Sequence, residues 1–202
     1  MLLAFDTSSA ACTAALFNDA GACVASRDEL IGRGHAERLV PMIEEMLDGK
    51  APSSILVGLG PGSFTGIRVA IAAAHGLAIG WGVEMSGMAS LALLAASSSA
   101  DGEVAVAVAG GHGELFVQEF NADSSPISEL HNLVPAAAAA TTKANLVIGS
   151  GAQQLVEARG WGEAHETWPS AANALRLPEA VRTLPPRPLY ARAPDARPRQ
   201  AA

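Results

Sequence analysis

The sequence predicts a mixed α/β fold, and three features of its first third support that prediction. Two β-hairpins open the chain, and an amphipathic helix follows. A continuous apolar strand then leads into a glycine-rich loop at residues 58–66 and a second helix. Strands that alternate with helices in this way form sheets covered by helices.

The opening strands are predicted at residues 2–5, 12–17 and 22–27, with turn residues at 18–21 between the last two. The strand at residues 55–57 is apolar without alternation, which indicates helices on both of its faces.

The first helix is predicted over residues 35–47. One face carries apolar side chains at helical spacing, namely Leu39, Met42, Ile43, Met46 and Leu47. Pro41 lacks a backbone donor, so the helix is expected to begin late or to bend near its start.

The second helix is predicted over residues 65–79. It has one apolar stripe and a neighbouring stripe of very small side chains, which would let another backbone approach closely. The first stripe contains Ile67, Ile71, Ala74 and Ala78, and the second contains Gly66, Ala73, Gly76 and Gly80.

Two units are predicted, with a small and polar boundary at residues 97–102. Residues 1–97 form an N-terminal lobe, which includes a strand at 83–88 and a helix at 90–96. Residues 98–202 form a smaller, trimmed lobe with strands at 104–109, 114–120 and 146–148 and helices at 153–159 and 171–177. From residue 185 onward the chain is rich in proline and arginine and is expected to be irregular.

Composition excludes several classes. Among 202 residues, 13 are basic and 20 acidic, for a net charge of −7, which argues against binding nucleic acid by overall charge. The two cysteines form no zinc or disulfide pattern. The N-terminus lacks the pattern of a signal peptide, and the apolar stretch at residues 69–83 is too short for a membrane span, so a cytoplasmic protein is expected.

Two segments are candidates for a phosphate or nucleotide contact, and for each a purely structural role stays open. Asp6, Thr7 and Ser8 end the first strand, where a carboxylate either orients a hydrated Mg²⁺ or caps a turn. The glycine-rich loop lies between a buried strand and a helix start, where backbone N–H groups either bind an anion or form a tight turn.

No metal site and no catalytic residue is predicted. His35 would need a second ligand one turn later, where Leu39 stands, so a capping or surface histidine is the alternative. Arginines near the C-terminus either contact RNA phosphates or form a solvated end. They are Arg182, Arg187, Arg192, Arg197 and Arg199.

Several segments together resemble the TsaB (YeaZ) family, once labelled M22 glycoprotease-like. The loop is the most specific, and it contains Gly60, Pro61, Gly62, Ser63, Phe64, Thr65 and Gly66. Residues 4–8, 35–43 and 189–196 resemble the family's opening strand, first long helix and C-terminal signature.

The resemblance implies a two-lobed actin-like (ASKHA, ribonuclease H-like) fold with mixed sheets. It also implies a non-catalytic scaffold that dimerises with a catalytic paralogue, TsaD, and works with an ATPase, TsaE. That complex transfers threonylcarbamoyl to N6 of adenosine 37 in tRNAs that read codons starting with A. The resemblance implies no cofactor for this chain alone, whereas ATP or ADP is expected in the complex. The chain is expected to contact tRNA through the complex, and no membrane is involved.

In such a heterodimer the two N-terminal helices would contact the partner. The expected contact residues are His35, Leu39, Met42, Ile43, Met46, Gly66, Val69, Ala73, Gly76 and Gly80. The same helices would allow a homodimer when the partner is absent.

The competing interpretation is an autonomous enzyme, either a peptidase or a small-molecule kinase of the same fold. No second phosphate loop and no metal pair supports it. The turn at residues 110–113 departs from the family pattern, and its role is open.

Overall fold

The first half of the chain forms a five-stranded mixed sheet in a computed structural model that describes residues 1–98 and 101–191. The strand order is β3-β2-β1-β4-β5; β1, β2 and β3 pair antiparallel, whereas β1, β4 and β5 pair parallel. The elements are β1 (Leu2–Asp6), β2 (Ala11–Phe17), β3 (Cys23–Leu30), α1 (His35–Leu47), β4 (Ser54–Gly58), α2 (Phe64–Trp81), β5 (Glu84–Met88) and α3 (Ser90–Ala96).

The second half forms a second five-stranded sheet with the same topology. Taken from the β8 edge, its order is β8-β7-β6-β9-β10, again with two antiparallel pairings followed by two parallel ones. The elements are β6 (Val104–Ala109), β7 (Leu115–Phe120), β8 (His131–Leu133), α4 (Pro135–Thr141), β9 (Leu146–Ile148), α5 (Ala152–Arg159) and β10 (Glu163–His165).

The two sheets pack as layers. Each sheet contacts a core on both of its faces, because successive residues of a strand point to opposite sides. On β1, Leu3 and Phe5 face the core beneath α1 and α2, whereas Ala4 faces a central core shared with α3 and the second sheet. On β6, Ala105 faces a third core beneath α4 and α5. Helices therefore cover both outer sides, as the sequence predicts for mixed α/β sheets.

The long helix α2 is capped at both ends. The Ser63 hydroxyl accepts a hydrogen bond from the Gly66 N–H at 3.2 Å, and Gly82 ends the helix in the left-handed conformation with φ of 66°. Helix α1 begins at His35, so the late start that Pro41 allowed does not occur, whereas the bend expected as its alternative stays a prediction. Pro41 lies on the exposed side, where water can bond to the carbonyl that loses its backbone donor.

The last described part of the chain returns to the first sheet. After a 3₁₀ turn at Ala171–Arg176 and α6 (Glu179–Arg182), Leu184 exchanges backbone hydrogen bonds with Gly87 of β5, at 2.8 and 3.0 Å. The Leu189 N–H then donates to the Leu59 carbonyl at 2.9 Å. This returning segment belongs to the stretch that sequence alone assigned to the second lobe, and the division at residues 97/98 stays a prediction.

Most predicted elements are confirmed within one or two residues, and four short ones were missed. The missed elements are β8, α4, β10 and α6, none longer than seven residues. The 3₁₀ turn stands where an α-helix was expected at residues 171–177. Residues 99 and 100 of the expected boundary, and 192–202 with Arg192, Arg197 and Arg199, lie outside the described residues.

Helix α2 is longer than the predicted span of residues 65–79. Its 18 residues have a mean hydropathy of 1.3, and within the described chain it is the helix that could cross a membrane by length and composition. Only 22% of those residues are buried, while one face packs on the sheet through Ile67, Ala70 and Ala74. Helix α2 thus combines an apolar composition with an uncovered side.

Candidate functional site

The turn after β1 is a closed structural unit. Asp6 is fully buried, and its carboxylate accepts hydrogen bonds from the Ser8 N–H at 2.6 Å, the Ser8 hydroxyl at 2.7 Å and the Ser90 hydroxyl. The Thr7 hydroxyl, also buried, donates to the Gly66 carbonyl at 2.7 Å. The carboxylate of Asp6 therefore serves internal donors, whereas Ser8 also borders the central cleft described below.

The glycine-rich loop lies directly against that turn. The Ser63 N–H donates to the Ser8 carbonyl at 2.6 Å, and the Gly60 N–H donates to the Ser90 hydroxyl at 2.9 Å. A Cβ at Gly66 would lie 1.9 Å from the Thr7 carbonyl oxygen. The loop is glycine-rich because two backbone segments meet without room for a side chain. The phosphate contact predicted for Asp6, Thr7 and Ser8 stays a prediction, and this closure leaves Asp6 and Thr7 little access to a ligand.

The exposed side of α2 carries apolar residues together with His75, whereas the exposed side of α1 is mixed, with Val40 one turn before Glu44. On α2, Ile79 is 82% exposed, and a Cβ added at Gly76 or Gly80 beside it would have nothing within 4 Å. On α1, Val40 is exposed in the same region. A groove of about 310 Å³ lies between the two helices, lined in part by Val40, Leu77 and Trp81. Together these residues form what we call the outer face.

Several predicted contact residues lie elsewhere. Leu39, Met42 and Ile43 are buried in the core beneath the helices, since the apolar stripe of α1 faces the sheet. Gly66 is buried against the Thr7 carbonyl. Leu39, Met42 and Gly66 therefore offer little surface in the lone chain, whereas Ile43 lines the groove between α1 and α2; the partner contact predicted for these four residues stays a prediction.

The remaining predicted residues are at least partly exposed. Gly76 and Gly80 are exposed, whereas His35, Met46, Val69 and Ala73 are half-buried. Sequence reasoning missed Val40, Ala72, Leu77, Ile79 and Trp81. For the exposed side of α2 a signal existed, since Ala72, Gly76 and Ile79 follow helical spacing.

A cleft of about 930 Å³ opens between the two sheets. The glycine-rich loop and the start of α2 form one wall, and the end of β6, the turn at residues 110–112 and Trp168 form the other. At its mouth Phe64, Arg68 and Tyr190 form a cluster, with the Arg68 guanidinium 3.7 Å from the Phe64 ring centre and its Nε 3.2 Å from the Tyr190 hydroxyl. This cluster brings Phe64 of the glycine-rich motif into contact with Tyr190 of the segment that resembles the family's C-terminal signature. The sequence did not predict this contact.

Arg38 of α1 pairs with two carboxylates. The Arg38 guanidinium contacts Glu29 on β3 at 2.6 Å and Glu45 on α1 at 2.8 Å, and its hydrogen bonds hold the pKa of both carboxyls below their usual range. Cys12 lies beneath the helix, and the pKa of its thiol is raised to about 11. The main cause is burial, and the second is the negative charge of Glu29. Cys12 is therefore an un-ionised core residue and not a nucleophile.

Within residues 1–98 and 101–191, no group of three or more His, Cys, Asp and Glu side chains is placed to hold a metal. His35 begins α1, and its buried Nε2 has no hydrogen-bond partner among those residues. Leu39, one turn on, is in the core. His112 has a φ of 63°, and the turn that contains it lies on the wall of the cleft.

Comparisons with known proteins agree with this architecture. A family model described as TsaD, tRNA N6-adenosine threonylcarbamoyltransferase, matches residues 27–157. The tRNA threonylcarbamoyladenosine biosynthesis protein TsaB of Escherichia coli is 34% identical over 62% of this chain and 57% of its own length. TsaB of Haemophilus influenzae is 42% identical over 39% of this chain and 35% of its own length.

These alignments thus span about half or less of the two curated relatives. A solved structure extends the likeness to the whole fold. The uncharacterised Pseudomonas aeruginosa protein described as similar to the peptidase YeaZ has a TM-score of 0.79 and 30% identity, over 95% of this chain and 99% of that one. The mixed two-sheet fold is of the actin-like (ASKHA) type, and the chain belongs to the TsaB/YeaZ family.

Proposed function

We propose that this protein acts in tRNA threonylcarbamoyladenosine biosynthesis as a non-catalytic scaffold subunit. It dimerises with a catalytic TsaD-like paralogue, which transfers threonylcarbamoyl to N6 of adenosine 37 in tRNAs that read codons starting with A. The family supplies the pathway, since the relatives in E. coli and H. influenzae carry that description.

The observation that carries the scaffold role is the outer face. An apolar helix side with Ile79 82% exposed and two adjacent open glycines is costly in water and favourable at an interface. Gly76 and Gly80 let a partner helix approach the α2 backbone closely, because no side chain separates the two. The groove beside Trp81 offers space for a partner side chain.

The non-catalytic part of the proposal is supported by the internal use of candidate chemical groups. The carboxylate of Asp6 serves three internal donors, and the position one turn after His35 is a core leucine. We further propose that the protein is cytoplasmic, that it holds no cofactor by itself, and that ATP or ADP, a TsaE-like ATPase and tRNA are engaged within the complex. Without the paralogue, the outer face would pair with a second copy of itself.

The test is Gly76→Leu, measured by pull-down and calorimetry with the TsaD-like paralogue. The new side chain meets nothing in the isolated protein, and leucine favours helix more than glycine, so the variant should stay folded. It should block the close approach and weaken binding at least about tenfold, a change of about 1.4 kcal/mol.

Gly102→Leu is the matched control, because a side chain there also meets nothing and the residue lies away from the outer face. Unchanged affinity of the Gly76 variant contradicts the placement of the interface. Reconstitution of adenosine-37 modification tests the role itself: product formed by this chain without the paralogue would show an enzyme, not a scaffold.

A further inference from the structure

The outer part of the returning segment, residues 178–191, lies on the surface of the first half of the molecule. We propose that these residues form a strap, which leaves the first sheet as one unit while both sheets stay folded. This inference rests on the contacts of the strap and is independent of the proposed function.

The returning segment is buried to different depths before and after Leu177. Ala171, Ala174 and Leu177 lie in the central core between the sheets, each at most 2% exposed. In the strap no side chain is fully buried, and Leu184 and Leu189 are half-buried against the core of the first half. Regions with few buried apolar contacts open at a lower free energy than the core does. The boundary of the opening unit is therefore expected just after Leu177.

Among the described residues, four backbone hydrogen bonds join the strap to the first half. Three of them lie at the near end of the strap. Leu184 and Gly87 exchange two, and the Ala89 N–H donates the third to the Val181 carbonyl at 2.9 Å. The β5 strand and the loop after it thus donate two N–H groups to the strap, so these amides report on its release.

The far end of the strap is held by one backbone bond and one side-chain cluster. The Leu189 N–H donates the fourth bond to the Leu59 carbonyl. Tyr190 is 48% exposed, and its hydroxyl accepts a hydrogen bond from the Arg68 Nε while its ring packs beside Phe64. Few interactions therefore hold this end closed.

The composition of the strap favours release as one piece. Proline stands at positions 178, 185, 186 and 188, and each proline fixes its own φ and so limits fraying residue by residue. The closed state also holds a buried donor, since the Arg182 Nε has no hydrogen-bond partner among the described residues. Water would satisfy this donor on release, which favours the open state.

Release of the strap uncovers the edge of the first sheet. Strand β5 is an edge strand, and the N–H and the carbonyl of Gly87 lose their partners when the strap leaves. Unpaired groups along such an edge can pair with a strand of another chain. The closed strap prevents this pairing, and its prolines keep it from offering a regular edge of its own.

Hydrogen exchange of the full chain, followed by NMR at single amides, tests the proposal. Two strap amides, Leu184 and Leu189, and two amides of the first half, Gly87 and Ala89, take part in the four bonds. If the strap opens as one unit, these four amides share one protection factor. Unequal protection among them would mean local fraying and overturns the proposal.

Two neighbouring amides are the internal control. The Leu59 N–H donates to the Met88 carbonyl at 2.9 Å and the Ser90 N–H to the Gly60 carbonyl at 3.0 Å, so both bonds lie within the first half. We expect both amides to be protected at least about tenfold more than the four reporters. Equal protection of all six would mean that the sheet opens together with the strap, which also overturns the proposal.

A matched pair of variants tests whether the two ends are coupled. Tyr190→Ala removes a half-exposed ring beside an arginine, and Trp161→Ala removes a similar ring beside Arg159 in the second half. Tyr190→Ala should speed exchange at Ala89 as much as at Leu189, by about fivefold or more, as expected for one aromatic contact and one hydrogen bond. Trp161→Ala should change neither amide. A Tyr190 variant that affects only Leu189, or neither amide, overturns the proposal, and so does an equal effect of both variants.

Discussion

The two halves of this protein share one topology but treat equivalent helices differently. Helices α2 and α5 each connect the two parallel strands at one side of their sheet. The exposed side of α5 is polar, with Gln153 bonded to Glu157 at 2.7 Å, whereas the exposed side of α2 presents Ala72, Gly76 and Ile79. Equivalent positions in one fold thus carry a solvated surface in one half and an apolar outer face in the other. The topology alone does not require that face, which is why we assign it to binding.

The largest effect is expected on the side of α2 that touches the first sheet. Gly66→Ala places a Cβ 1.9 Å from the Thr7 carbonyl, a backbone atom that cannot rotate away. We expect the free energy of unfolding to fall by about 3 kcal/mol, measured by urea denaturation.

Gly76→Ala is the matched change on the exposed side, where nothing lies near the new methyl group. It should raise stability by about 0.5–1 kcal/mol, because alanine favours helix. If both variants lose stability equally, the contrast between the two sides of α2 is wrong.

A smaller effect, on binding alone, is expected for Ile79→Asp. The side chain is 82% exposed, so stability should change by less than about 0.5 kcal/mol. Binding to the TsaD-like paralogue should weaken about 30-fold, as for a central interface residue worth about 2 kcal/mol.

The same introduced charge on the equivalent helix is the control. Ala158→Asp on the exposed side of α5 should leave binding unchanged. An equal loss in both variants would mean that the halves do not differ in docking.

The last prediction concerns pH. The core beneath α1 and α2 contains the Cys12 thiol, whereas the buried core beneath α4 and α5 consists of alanine, valine and leucine. Burial raises the Cys12 pKa from 9.0 to about 11, so the unfolded thiol ionises before the folded one does. The associated stability is fully present below pH 9.0 and is lost as pH rises toward about 11.

Hydrogen exchange should therefore show α1 and α2 losing more protection than α4 and α5 over that pH interval. Cys12→Ala should remove this difference, since alanine does not titrate. A Cys12→Ala protein with the parental alkaline profile would assign the loss to another group.

Sequence predicted the parts of the fold whose signals are local. The apolar stripe ending at Leu47 predicted α1, and the stripe of Ile67, Ile71 and Ala74 after the glycine-rich loop predicted α2. Helix α4 was missed because its alanine run has no amphipathic period, and β10 because three residues carry no alternation. The shared topology was not predicted, since it resides in strand order and not in sequence similarity.

The candidate sites show the same limit. Periodicity identified the apolar stripe of α1 but not which direction it faces; Met42 packs on the sheet, and its predicted contact with a partner stays a prediction. The Arg68–Tyr190 contact joins residues 122 positions apart, and local spacing does not predict such a pair. Side-chain exposure and long-range contact required the structure.

The returning segment makes completion of the N-terminal half a late event during synthesis. Leu184 covers the β5 edge and Leu189 bonds to Leu59, so these positions stay unfilled until the ribosome has made the second sheet. At ordinary elongation speed that interval is on the order of ten seconds. During this time α1 and α2 of the nascent chain would pack on a sheet that still lacks its contacts with Leu184 and Leu189. Assembly with a partner is therefore expected only after translation of the returning segment.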